Sequence, residues 1–166
     1  RGAGVDVDPA SGEVYLAGHF RDNASFEVTQ VTSAGDADAF LAQYDNAGNV
    51  VWVKPAGGAS ADRGVGVAYD ARNEDVVMVG SFVREMAMDA EQVSSSGGED
   101  VYMARLERNG TVKWVKPAGG ASSDRGLDVD IDPNTGDAIM VGTFRGEARF
   151  ERFSLTSNGE DDIFVA

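Results

Sequence analysis

The stretch that most constrains what this chain can fold into is VWVKPAGGASADRG at 51–64. It returns at 113–126 as KWVKPAGGASSDRG, with only its first and eleventh residues changed. Trp52 and Trp114, Pro55 and Pro117, Asp62 and Asp124, and Arg63 and Arg125 each stand 62 positions apart, so the period carries no insertion or deletion. The same spacing finds a third copy. Arg1 and Gly2 fall on Arg63 and Gly64 and on Arg125 and Gly126, and Phe20 falls on Phe82 and Phe144. Self-similarity at one fixed period means one supersecondary unit used several times. The units divide the chain into 1–62, 63–124 and a shorter 125–166.

Each unit reads as four strands separated by turn residues. The first is GAGVDVD at 2–8, GVGVAYD at 64–70 and GLDVDID at 126–132, where Val65, Val67 and Tyr69 share a face by the period of two. Turns rich in Asp, Asn, Pro and Gly follow at 8–13, 70–75 and 132–137. The second strand is EVYLAGHF, DVVMVGSF or DAIMVGTF. A connection of about 17 residues comes next, 83–99 in the second unit, longer than the usual loop of a compact domain. Phe26, Met88 and Phe150 coincide in it, as do Val31, Val93 and Leu155, so it is expected to be an extra short strand or an arch packed on the unit. The third strand, introduced by Asp38, Asp100 or Asp162, leads through DNAGN (45–49) or ERNGT (107–111) into the fourth, which carries Trp52 or Trp114.

No long segment has helical spacing, so the fold class is all-β. Four antiparallel strands per repeat with Gly-rich connections and a recurring aromatic predict a β-propeller built from four-stranded blades repeating every 62 residues. Neighbouring blades bury the two apolar faces that a lone sheet would expose. Trp52 and Trp114 are expected as wedges between blades, Phe20, Phe82 and Phe144 as packing behind the second strand, and Asp38, Asp100 and Asp162 as structural residues of the third. Truncating a core wedge such as Trp114 to Ala would cost about 3–5 kcal/mol.

The strings DAFLAQYDNAGNVVW and V-x-MVGSF, with GG, S-x-DRG, GVA and D between them, resemble the SBBP family of bacterial-type β-propeller repeats. More distantly the chain is similar to NHL repeats, which share the order GVAVD, turn, NVYV. The resemblance spans essentially the whole chain, about 2.7 blades. It implies a non-enzymatic structural or protein-interaction module, extracellular or at the cell surface, with no catalytic motif travelling with the repeat. A closed propeller has about 4–8 blades. Further blades of the same polypeptide or other protein subunits are therefore the expected partners, the longer polypeptide being favoured, with glycans as a further candidate.

Net charge is −14, from 28 acids against 11 Arg and three Lys. Such a surface repels phosphate backbones and anionic lipid, which argues against nucleic-acid and membrane-surface partners, and it suits high salt or a calcium-rich medium. Without cysteine there is no disulfide framework and no Cys-based metal or catalytic centre. No run approaches the ~18 apolar residues of a membrane helix, so no membrane insertion is expected.

Three alternatives for chemistry can be weighed on residues. Asp128, Asp130 and Asp132 alternate on one strand and, with Asn134 and Asp137, could supply part of the oxygen set that Ca²⁺ requires. Calcium is therefore the one candidate cofactor, in a calcium-assisted adhesion or carbohydrate-binding propeller. The second unit has Gly66 and Ala68 where carboxylates would be needed, which favours a solvated acidic strip. Ser60, Asp62 and Gly64, with their copies Ser122, Asp124 and Gly126, match the start of the Asp-box of sialidase-like propellers, a turn whose Asp accepts backbone N–H bonds. Part of a sialidase-like glycosidase would further need two carboxylates at a set separation, and no pair stands out. His19 lacks a recurring Ser, Cys or acid partner and reads as a surface or turn residue. Arg1, Arg63 and Arg125 are expected to tie loops to the recurring aspartates.

Overall fold

The computed structural model describes residues 1–166 as eleven β-strands and no helix. In chain order these are β1 (Gly2–Val7), β2 (Val14–Phe26), β3 (Thr29–Tyr44), β4 (Val50–Ala56), β5 (Arg63–Asp70), β6 (Asp75–Met88), β7 (Glu91–Glu107), β8 (Val112–Gly120), β9 (Arg125–Ile131), β10 (Ala138–Phe150) and β11 (Phe153–Val165). The chain is all-β. Strands β1 to β4 pair antiparallel in sequence order as one four-stranded sheet. Strands β5 to β8 do the same, and β9, β10 and β11 form a third set.

Expected were separate four-stranded blades, and here the structure differs. Two residue pairs, Ala148 with Gly120 and Arg149 with Gly119, join β10 to β8, so the second and third sets make one seven-stranded sheet. The path β11-β10-β8-β7-β6-β5 curls until β5 lies against β9, giving a nearly closed, barrel-like sheet. The approach is tight. A Cβ on Gly66 would sit 2.9 Å from the Asp128 Cα, and one on Gly4 would sit 2.6 Å from the Val65 carbonyl oxygen.

The connections expected as an added strand or arch are extensions of their flanking strands. Chain 83–99 continues β6 and β7 to a hairpin tip at Met88–Glu91. Each long hairpin carries a bulge at the same place in the period, with left-handed backbone at Asp22, Arg84 and Gly146 (φ 55°, 69° and 71°). Each tip likewise has one such residue, Glu27, Asp89 or Glu151 (φ 52°, 54° and 51°). Sequence missed this because only one of the six is Gly. A further bulge between Gly64 and Gly66 takes Val65 off the face it was expected to share with Val67 and Tyr69.

Packing follows the period. Tyr15, Ala17, Ala39, Leu41 and Ala56 of the first set are buried against Val67, Met78, Phe82, Met86, Met88, Tyr102 and Leu106 of the second. One period later, Val77, Val79, Val101 and Ala118 on the other face of the second set are buried against Val129, Met140, Phe144, Phe150 and Phe164 of the third. Tyr15 becomes Val77, Ala17 becomes Val79 and Ala39 becomes Val101, so the same slots cover the next sheet in both interfaces.

The bulge geometry is testable. Replacing Gly146 by Val forces a β-branched residue into left-handed backbone and should cost on the order of 1–2 kcal/mol in urea denaturation. Arg84→Gly should leave the midpoint unchanged or raised. A comparable loss in Arg84→Gly would contradict the shared bulge.

Candidate functional site

Buried carboxylates gather where one unit hands over to the next, in the linker between β4 and β5 and again between β8 and β9. Asp62 is fully buried. Its Oδ2 accepts the Gly58 N–H at 2.7 Å, its Oδ1 accepts the Val83 N–H at 3.2 Å, and its own N–H donates to the Ala37 carbonyl at 2.6 Å. One residue thus ties the linker to the bulge of the following hairpin through its side chain and to β3 of the preceding set through its backbone. Asp124 repeats the arrangement, accepting from Gly120 at 2.7 Å and Arg145 at 3.0 Å and donating to the Glu99 carbonyl.

A second acid stands beside each. Asp38 accepts the Ala34 N–H at 2.9 Å and Asp100 the Ser96 N–H at 2.8 Å through Oδ2, while both Oδ1 atoms are buried without a partner. The Gly-Gly of the linker is needed for this proximity. A Cβ on Gly119 would lie 2.7 Å from the Asp100 Cγ and 2.8 Å from the Asp124 Oδ2, and Gly57 presses on the Asp38 carboxylate in the same way. Asp162 keeps the amide bond, from Asn158 at 2.6 Å, but is half-buried. The three aspartates singled out in the sequence lie directly across from the three phenylalanines: Phe20 pairs with Asp38, Phe82 with Asp100 and Phe144 with Asp162, and all three rings are buried.

Burial disfavours the charged form of all four paired acids. Desolvation, opposed by the Gly58 and Val83 amides and helped by the Asp38 charge, pushes Asp62 up to about 6. Burial, opposed by the Ser96 amide and helped by Asp124, pushes Asp100 up to about 6. Asp38 and Asp124 are raised for the same first reason. Tyr102 takes the place of Phe40 and Phe164. Its hydroxyl is buried without a partner, and burial together with the Asp62 charge raises its pKa.

The opposite end of the junctions holds ion clusters. Arg108 bonds Glu13 at 2.9 Å and lies 3.4 Å from Asp8, joining second unit to first. Arg105 bonds Asp70 and the Gly136 carbonyl, each at 2.9 Å, and Lys113 bonds Asp75 at 2.6 Å. Arg63 and Arg125 do not reach the recurring aspartates as the sequence suggested. Both pair with Glu99, at 3.1 and 2.7 Å, because the buried aspartates are already taken up by backbone N–H groups. His19 lies on β2, not in a turn, half-buried with Nδ1 unpartnered, and burial lowers its pKa.

Trp52 lies between the first two sheets. Its indole N–H donates to the Arg108 carbonyl at 3.0 Å and its ring rests on Gly110. Trp114 is half-buried beneath Lys116, whose Nζ is 5.3 Å from the ring centroid, and lines an open cleft of about 540 Å³ with Met103, Met140, Phe150 and Phe153. One period on from Arg108 and Gly110 falls beyond Ala166. Asp128 and Asp130 are exposed and each accepts the next residue's N–H, while Asp132 is turned into its hairpin and accepts the Asn134 N–H at 2.8 Å. These three do not converge, and no group of three or more His, Cys, Asp or Glu side chains does so elsewhere. No model of a known protein family matches the chain, and no curated protein matches it.

Two outcomes follow. The folded state holds protons on Asp62 and Asp100 more tightly than the unfolded chain, whose value is near 3.8, so their stabilisation is whole below that pH and lost as pH rises to about 6. Asp8 and Asp70 act in the opposite sense. Burial works against them, but turn hydrogen bonds and Arg108 or Arg105 hold them low, so their contribution is lost on acidification. Tm should peak between about pH 4 and 6. Asp100→Asn keeps the Ser96 bond and removes a charge beside Asp124, so it should raise Tm at pH 8 and change it little at pH 4.5; equal shifts at both would refute the pairing. Separately, Trp52→Ala should cost about 3 kcal/mol and Trp114→Ala well under half of that, and equal losses in chemical denaturation would contradict their different surroundings.

Proposed function

We propose that this chain is a run of SBBP-type β-propeller blades, four-stranded and repeating every 62 residues, that serves as a non-enzymatic structural or protein-interaction module outside the cell or on its surface. The observation that carries the reading is the repeated interface. Slots 62 apart bury the same face of the first sheet on the second and of the second on the third. The innermost strands β1, β5 and β9 follow one another at close range, as blades do around an axis. The junction between the second and third sets is only two residue pairs long, and it has a counterpart at the first junction in the single bridge between Gly57 and Ala87. In this reading the short junction within the seven-stranded sheet is the seam between neighbouring blades.

The acids that a hydrolytic reading would enlist support a structural role. Both oxygens of Asp62 and of Asp124 accept backbone N–H groups that hold linker to hairpin. Calcium has no favoured place in this reading, since Asp128, Asp130 and Asp132 bond to their own backbone. The test is a thermal melt in millimolar Ca²⁺ and again in EDTA, together with incubation on a panel of aryl glycosides and sialosides. The expected result is the same Tm in both media and no turnover. A chelator-sensitive Tm would replace the reading by calcium-assisted adhesion, and turnover abolished by Asp100→Asn would replace it by a glycosidase.

A further inference from the structure

One slot of the period changes its charge from unit to unit. Ala37, Glu99 and Asp161 stand 62 apart, each just before the recurring aspartate. In the second unit the Glu99 carboxylate accepts from the Ser81 hydroxyl at 2.8 Å and from Arg63 at 3.1 Å within its own set, and from Arg125 of the third set at 2.7 Å across the junction. In the third unit Asp161 accepts at 2.7 Å from Arg145, its direct neighbour on β10. The first unit has the donors without the acid. Arg1 stands in the slot of Arg63, His19 in that of Ser81, Arg63 in that of Arg125 and Arg21 in that of Arg145, while Ala37 puts a methyl group where the carboxylate would begin. Arg21 is directly opposite Ala37, and His19 precedes it by two residues on the same strand.

These donors are under-used. His19 Nδ1 is buried with no partner, and after burial itself the influences that lower its pKa are positive charges, Arg63, Arg1 and Arg21 among them. Arg63 reaches Glu99 through Nη1 and its side chain is 41% exposed. Arg21 meets Asp36 at 3.2 Å, but the two side chains are 65% and 50% exposed, and such a pair contributes little.

We propose that the Ala37 slot binds a carboxylate supplied from outside the chain, held by Arg63 and Arg21 with Arg1 and His19 beside it, in the place that the Glu99 carboxylate takes one unit later. The Ala37 methyl is buried, and the ligand group stands beyond it, where a glutamate side chain would end. A guanidinium presents its donors in a planar fork that matches a carboxylate. With a net charge of −14 the surface at large repels anions, which confines binding to this cationic spot. The carboxylate belongs either to a small free acid or to an acidic side chain of a protein partner. The site goes beyond the structural role and stands on the 62-residue period, so its failure leaves the propeller reading untouched.

His19 is the one histidine of the chain, so its imidazole C–H resonances in proton NMR report this slot alone. The test is a pH titration of the 166-residue chain in sodium acetate, in capped glutamate (N-acetylglutamic acid α-amide) and in sodium chloride, all at matched ionic strength. A bound carboxylate favours the imidazolium, so the His19 pKa should rise saturably with either carboxylate and stay put in chloride. A stronger response to capped glutamate marks a protein side chain as the source, and a stronger response to acetate marks a small acid. Arg63→Gln, at a partly exposed side chain, should weaken the effect on the order of tenfold. Ala37→Glu supplies the missing group from within, so His19 should titrate higher without any added carboxylate and respond no further. Equal shifts in acetate and chloride, an Arg63→Gln variant that responds as the parent does, or an Ala37→Glu variant whose response to acetate is unchanged would each overturn the proposal.

Discussion

Face-to-face burial of one sheet by the next is the interaction on which the remainder of this molecule depends. A meander of three or four strands has two faces and no interior of its own, so the first set of strands and the β9–β11 set owe their burial to the second. Met78, Leu106 and Tyr102 are fully buried on one side of that set and Val77, Val79 and Val101 on the other. The long hairpins add to this cover, since Met86 and Met88 sit in the first interface and Ala148 and Phe150 in the second.

Burial alone leaves sheets free to slide, and the linker aspartates remove that freedom. Asp62 and Asp124 each bond three backbone groups drawn from two successive units, so rotation of one sheet on another would strand buried amides. The second acid of each pair exacts the cost of this device. Asp38 and Asp100 each leave one buried oxygen unpartnered, and burial together with the neighbouring acid pushes Asp62 and Asp100 up to about 6. A protein of net charge −14 therefore places part of its charge repulsion inside its own seams.

Much of this was legible in the residues. The fixed period from Trp52 to Trp114 and the turn residues at 8–13, 45–49 and 107–111 were enough for all-β units with repeating strands. The Asp-box resemblance at Asp62 and Asp124 pointed to backbone acceptance, and the bonds to Gly58 and Gly120 are of that kind. The long hairpins were not legible, because their left-handed tips and bulges fall on Glu27, Arg84 and Glu151 as well as Asp22 and Asp89, and of these types only Asp favours such backbone, at neither place throughout the period. The acid pairs were hidden for a different reason. Asp38 and Asp62 recur with constant spacing, but only the return of the linker alongside β3 at Ala37 sets them side by side. Arg105 and Arg108, which carry the ion clusters, lack counterparts in the first unit, where Gln43 and Asn46 stand, so the period gave no pointer to them.

Native-state hydrogen exchange across the eleven strands tests the account most directly, because amide protection reports the free energy needed to open each element. Amides of Val76–Val79 in β6 and Val101–Leu106 in β7, covered on both faces, should exchange slowest, with β1 and β11 opening at markedly lower free energy. Protection that is uniform along the chain, or greatest in β11, would contradict a middle set of strands covered on both faces.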